Sequence, residues 1–202
     1  MRALLEIFRG GRARPGASDR LRALRARARG AEKLNGKFKL VLVLLIAIVA
    51  LDQATKAIVD RTMPLYHSIP VIDNVFSLTY IRNTGAAFGL LARSGEIFRR
   101  TFLIGFSIAA IGFIILMLRR LPDDEKLLTV ALGFILSGAI GNLIDRLIYG
   151  EVIDFLDFYW ANHHWPAFNV ADSFITIGVV VILFRLATTK GEDPFAPRER
   201  IG

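Results

Sequence analysis

Four stretches of this chain are apolar for long enough to cross a bilayer as helices, at about 1.5 Å of rise per residue. The first, Leu40 to Val59 (LVLVLLIAIVALDQATKAIV), is purely apolar in its first half and carries Asp52, Gln53, Thr55 and Lys56 in its second. Thr101 to Leu118 is uncharged and bracketed by Arg99-Arg100 and Arg119-Arg120. A polar link, Pro122-Asp123-Asp124-Glu125, leads into Leu127 to Ile144, where Gly133, Ser137, Gly138 and Gly141 allow close approach of a neighbouring helix. Phe168 to Phe184 is the fourth stretch, broken early by Asp172 and closed by Arg185. Between the first two, Val71 to Arg82 (VIDNVFSLTYIR) is rich in β-branched and aromatic residues around the turn pair Asp73-Asn74, which predicts short strands. The pattern predicts an all-α integral membrane fold: four transmembrane helices, with a small β platform between helices 1 and 2.

Charge orients this arrangement. The chain has 202 residues and is 53% hydrophobic, and its charges cluster between the apolar runs rather than spreading as in a soluble domain. Met1 to Lys39 holds twelve Lys or Arg against three acids, while the remainder is close to neutral. A basic tail beside an apolar span fits anionic lipid or a positive-inside role better than nucleic acid. Met1 to Lys37 therefore reads as an extension, either disordered or a basic helix on the membrane surface over Leu21 to Ala31. No apolar run begins before Leu40, so it does not read as a cleavable signal peptide. The N-terminal tail, the 119–126 link and the tail after Phe184 together hold nineteen Lys or Arg, whereas residues 149–167 hold none and residues 60–100 hold five. Both termini are expected in the cytoplasm, with the platform and the 149–167 loop on the external face. Residues 38–190 form the four-span domain and 191–202 a cytoplasmic tail. Tyr159, Trp160 and Trp165 suit an interfacial aromatic belt.

Ionisable groups inside spans cost about 3 kcal/mol each on insertion scales, so a chain that keeps them usually uses them. Asp52 and Lys56 lie four apart on one helical face and are expected to pair, either holding the end of the first span or supporting a site. Asn83-Thr84-Gly85-Ala86-Ala87-Phe88-Gly89 follows the expected strand, as a turn or as a place to hold a peptide backbone. Asn142, Asp145 and Arg146 end the third span, as a polar anchor or as chemistry. Asp154 sits between Ile153 and Phe155, which desolvates it, with Asp157 a solvated neighbour. Asn169 is placed to cap the fourth helix, with Asp172 in its first turn. Asp154 and Asp172 both fall near the external ends of adjacent spans. Two carboxyls brought together cannot both ionise easily, so one keeps a proton near neutral pH and the pair titrates as a unit.

Other chemistries fit less well. The chain has no cysteine, which excludes disulfides, thiol catalysis and Cys-ligated metal. The histidines, His67, His163 and His164, lie in outer loops, and the adjacent pair is poorly spaced for one metal.

Five segments carry a resemblance: Asp52-Gln53-Ala54-Thr55-Lys56, Asn83 to Gly89, Gly141-Asn142-Leu143-Ile144-Asp145-Arg146, Val152-Ile153-Asp154-Phe155, and Phe168-Asn169-Val170-Ala171-Asp172-Ser173. Their order resembles the lipoprotein signal peptidase family, also called signal peptidase II, over Leu40 to Arg185. Each segment is weak alone; together and in order they are specific. The resemblance implies an aspartic endopeptidase without metal or cofactor, in the bacterial inner membrane. It implies cleavage of prolipoproteins just before a cysteine that already carries a diacylglyceryl group, by a monomer that binds membrane lipid and no nucleic acid. It maps the catalytic pair onto Asp154 and Asp172. It maps supporting positions onto Asp52, Lys56, Asn83, Gly85, Asn142, Asp145, Arg146 and Asn169. It also implies inhibition by the antibiotic globomycin. Met1 to Lys37 has no counterpart in this resemblance. A small transporter and a purely structural membrane protein are the rival readings, and the absence of an inverted repeat argues against the former.

Overall fold

A computed structural model describes residues 17–85 and 95–188, with side chains from Gly36 onward. The elements in order are α1 (Ala17–Thr62), β1 (Ser68–Ile72), β2 (Phe76–Asn83), α2 (Glu96–Arg120), α3 (Lys126–Ile148), β3 (Val152–Trp160), β4 (His163–His164) and α4 (Val170–Thr188). The chain divides at residue 36, and the described residues from 37 onward belong to one compact unit. Leu21 to Ala31 is helical backbone within α1. The tail 191–202 lies outside the described residues.

Among the described residues four helices are long and apolar enough to cross a membrane: Gly36–Thr62 of α1, and α2, α3 and α4. Leu42, Ile46, Phe106, Phe113, Val180 and Phe184 stay exposed on them, as expected where the solvent is hydrocarbon. α3 is the central helix, buried over 56% of its span window against 17% or less for the others. Its glycines permit this. A Cβ on Gly138 would run into the Ala171 backbone of α4, and one on Gly133 would press Leu44 of α1 at 3.2 Å. α4 reciprocates at Gly178, where a Cβ would lie 2.6 Å from the Ala131 carbonyl oxygen. Without side chains at the contact, the backbones approach and dispersion replaces the missing hydrophobic drive.

One apolar cluster, including Val41, Ile114, Leu118, Leu128 and Leu132, fills the bundle at the end near the α2–α3 link. A second, Val59, Met63, Tyr80, Ile153 and Phe155, joins the other end of α1 to the sheet.

The sheet differs from expectation. It is not confined to the connection between α1 and α2. Its order is β1-β2-β3-β4, all antiparallel, so half of its strands come from the α3–α4 connection. The fold is therefore helical with a four-stranded sheet. β3 is buried for most of its length (Val152, Ile153, Asp154, Phe155 and Asp157), so its sequence lacks a clean two-residue alternation. α3 stops because Gly150 takes φ +79°, a left-handed conformation that glycine adopts freely. The Tyr149 and Gly150 N–H groups donate to the Asp145 and Arg146 carbonyls at 2.8 and 3.1 Å, and the chain re-enters as β3.

Candidate active site

The site lies where α1, α3, α4, β2 and β3 meet. Asp154 is on β3, just past the end of α3, and its side chain is only 2% exposed. Asp172 is in the first turn of α4 and half-buried. Both face one cavity of about 820 Å³, together with Asn83, Ile81, Trp165, Phe168, Thr176 and Ile177.

Two side-chain amides link the carboxyls. Asn169 Nδ2 donates to Asp154 Oδ1 at 2.7 Å and reaches Asn142 Oδ1 at 3.1 Å. Asn142 Nδ2 in turn donates to Asp172 Oδ1 at 2.7 Å. Asn169 is also the helix cap. Its Oδ1 accepts the Asp172 N–H at 2.9 Å, and Asp172 Oδ2 accepts the Asn169 N–H at 3.3 Å, a reciprocal capping arrangement. From β2, Asn83 Nδ2 donates to Asp154 Oδ2 at 2.8 Å, while its Oδ1 accepts the Gly85 N–H at 2.8 Å. Gly85 closes that turn at φ +84°. Residues 86–89, the rest of that segment, lie outside the described residues.

Behind this layer sits a buried charge cluster. Lys56 Nζ lies 2.8 Å from Asp52 and 2.9 Å from Asp145, and donates to Asn142 Oδ1 at 3.0 Å. Asp52 Oδ1 accepts the Ala171 N–H at 2.9 Å, which fixes the start of α4. Asp145 Oδ2 accepts the Ile153 N–H at 3.1 Å, which fixes the start of β3. Gln53 Nε2 bridges Asp145 Oδ1 at 2.9 Å and the Gly141 carbonyl at 3.2 Å. Gln53 was not among the expected site residues. Its signal was available: a polar amide in a span needs a hydrogen-bond partner, as its charged neighbours do. Arg146 is half-buried and does not line the cavity. Its guanidinium reaches Ser107 Oγ at 3.4 Å and lies within Coulombic range of Asp172 and Asp154.

Among the described residues every buried side-chain nitrogen and oxygen has a hydrogen-bond partner. No Lys or Arg among them makes an ion pair with Asp154 or Asp172. Lys56 is committed to Asp52 and Asp145 instead. Burial therefore pushes the Asp154 carboxyl up to about 7, the Asp172 charge adds to the rise, and the Asn83 and Asn169 amides oppose it.

Asp157 is not a solvated neighbour. It is 6% exposed, takes His164 Nδ1 at 3.0 Å on each oxygen, and accepts from Thr79 Oγ1 at 3.3 Å. The pairing of β3 with β2 turns this acid inward, a long-range contact that its apolar flanks alone did not reveal.

Four potential membrane-crossing helices, a sheet at one end and two carboxyls facing a single cavity define a multi-span membrane protein with a paired-carboxyl site. A family profile described as Signal peptidase (SPase) II matches residues 44–188. The chain belongs to the signal peptidase II family. It is 53% identical to the lipoprotein signal peptidase of Geobacter sulfurreducens over 145 residues, 72% of this chain and 89% of that one. It is 50% identical to that of Geobacter metallireducens over 149 residues, 74% and 91% of the two chains. A bacterial membrane enzyme solved by the in meso method at 1.9 Å superposes with a TM-score of 0.64 at 32% identity, covering 75% of this chain and 95% of that one.

Proposed function

We propose that this chain is an aspartic intramembrane endopeptidase that removes the signal peptide from diacylglyceryl-modified prolipoproteins, cutting just before the lipid-bearing cysteine. One observation carries the reading: Asp154 and Asp172 face one cavity, tied through Asn142 and Asn169, with the nearby lysine held on other acids.

Asp154, the more deeply buried acid, holds the pair's proton at pH values below about 7, and Asp172 acts as the base. Asp172 takes a proton from a water as that water attacks the scissile carbonyl carbon. Asp154 donates toward the carbonyl oxygen as negative charge builds there. The C–N bond then breaks, Asp154 keeps or regains its proton as the carbonyl re-forms, and the proton gained by Asp172 passes to the leaving amine. Asn83, in the cavity lining, holds both Asp154 and an extended substrate backbone. Arg146 adds positive potential without neutralising either acid. The Asp52–Lys56–Asp145 cluster is the frame that fixes α4 and β3 against α3.

The same reading places the protein in the bacterial inner membrane, with both termini cytoplasmic and the cavity near the external face. Loop charge supports this sidedness, and so does the sheet, which draws the α1–α2 and α3–α4 connections to the same end of the bundle. Both carboxyls come from one chain, so the active unit is taken as a monomer. The basic stretch before the first span is assigned to anionic headgroups on the cytoplasmic surface. The test is incubation of the purified full-length chain with a lipid-modified prolipoprotein. A shortened product that globomycin suppresses is expected; an uncut substrate overturns the proposal.

A further inference from the structure

A second concavity, of about 410 Å³, opens on the sheet next to the catalytic cavity. Val75, Tyr159, Trp160, His163 and His164 line it, and Trp165 faces both spaces. The strip 163–168 between them runs beside β3. The Trp165 N–H donates to the Phe158 carbonyl at 2.8 Å, and Phe168 exchanges two hydrogen bonds with Leu156 at 3.0 and 2.8 Å. Among the described residues this strip is the outermost chain on that side of the sheet. Trp165 directs its N–H to β3, so His164, one residue earlier, turns its own backbone groups away from β3 toward the open edge.

The groove has a fixed floor. Asp157, which the peptidase reading leaves without a task, grips the His164 ring, and Tyr159 stacks on that ring at 4.9 Å between centroids. Its aromatic rim is free: Trp160 is 82% exposed and Trp165 69%. The His164 backbone, flanked by exposed indoles, suits an extended peptide, which takes main-chain hydrogen bonds there and stacking from the rings, while Pro166 has no N–H to add to that ladder.

The catalytic cavity also has two unlike ends. Thr176 and Ile177 carry one end into the apolar span of α4, and Trp165 carries the other onto the sheet. A prolipoprotein is apolar in its lipid chains and signal peptide, and polar in the chain after the modified cysteine. The apolar parts match the α4 end and the polar chain matches the strip.

Resting on the peptidase reading, we propose that this groove binds the polypeptide that follows the lipid-bearing cysteine, added as a strand along 163–168 with Trp160 stacking on it. At about 3.3 Å per residue an extended strip of this length spans roughly 20 Å, so about six substrate residues run along it. The test compares two lipid-modified substrates cut by the full-length protein, one ending just after the modified cysteine and one with about six further residues. The longer substrate should have a KM about fivefold lower. Trp160→Ala should erase that ratio, and Trp160→Phe should keep most of it. Equal KM values for the two substrates overturn the inference. So does Trp160→Ala weakening both substrates alike, which marks the indole as a bilayer anchor. Failure of the wild type to cut either substrate overturns the peptidase reading as well; cleavage without length dependence overturns this inference alone.

Discussion

At the link end of the bundle, Lys37 meets Asp123 at 3.2 Å and Arg185 meets Glu125 at 3.0 Å. At the sheet end, Lys56 meets Asp52 and Asp145 at 2.8 and 2.9 Å, yet Asp154 and Asp172 nearby receive amides rather than a cation. Both ends bury ionisable groups. The link end pairs acids with bases and closes. Lys37 also caps the Leu121 carbonyl at 2.8 Å, ending the second helix where the chain turns. The sheet end spends its lysine on two acids that only hold helices and strands in place, and leaves two others facing a cavity. Charge neutralised by a partner anchors structure; acids left with amides alone are the ones the proposed function uses for proton transfer.

The largest effect should come from the unpaired acids. Asp154→Asn or Asp172→Asn should lower cleavage by about a thousandfold or more, measured on a lipid-modified prolipoprotein, with helix content by circular dichroism unchanged. Either variant retaining activity removes that residue from the pair.

Lysines at the two ends should then differ in stability. Lys56→Met leaves Asp52 and Asp145 buried without their cation and should cost about 3–5 kcal/mol in denaturant titration. Lys37→Met should cost only about 1 kcal/mol, because the Asp123 side chain is 29% exposed and can be hydrated. Equal losses would erase the distinction between the ends.

Glycines sharpen the same contrast at smaller scale. A Cβ on Gly141 would lie 2.6 Å from Asp52 Oδ2, so Gly141→Ala should destabilise by about 1–3 kcal/mol. Gly112 of α2 has nothing within 4 Å, and Gly112→Ala should be neutral or stabilise by about 0.5–1 kcal/mol through helix propensity.

The same contrast can be read in pH. The Asp154 carboxyl ionises near 3.8 when unfolded and near 7 when folded, so between these values the folded state keeps a proton that the unfolded chain has released. Its contribution is greatest below pH 3.8 and fades as pH rises toward 7. Thermal unfolding across that window should show the decline in wild type and a shallower one in Asp154→Asn.

Much of the site was legible because membrane insertion makes polar residues conspicuous. Asp52 and Lys56 do pair, and Asn169 does cap α4 with Asp172 in its first turn. These are local relations, fixed by helical spacing. What the chain hid is non-local. β3 reads as apolar residues mixed with acids, and only its register against β2 decides that Asp154 faces the cavity while Asp157 is turned in toward His164. The amide relay through Asn142 and Asn169 likewise depends on α3 and α4 touching at Gly138 and Gly178.

The proposed proton on the carboxyl pair can be tested by infrared difference spectroscopy of the protonated carboxyl stretch during a pH titration, comparing wild type, Asp154→Asn and Asp172→Asn. Wild type should show a band that disappears with a midpoint near 7 and is absent in Asp154→Asn. In Asp172→Asn the midpoint should move down, because the neighbouring charge is gone. A wild-type protein with both carboxyls already ionised at about pH 6 would contradict the claim.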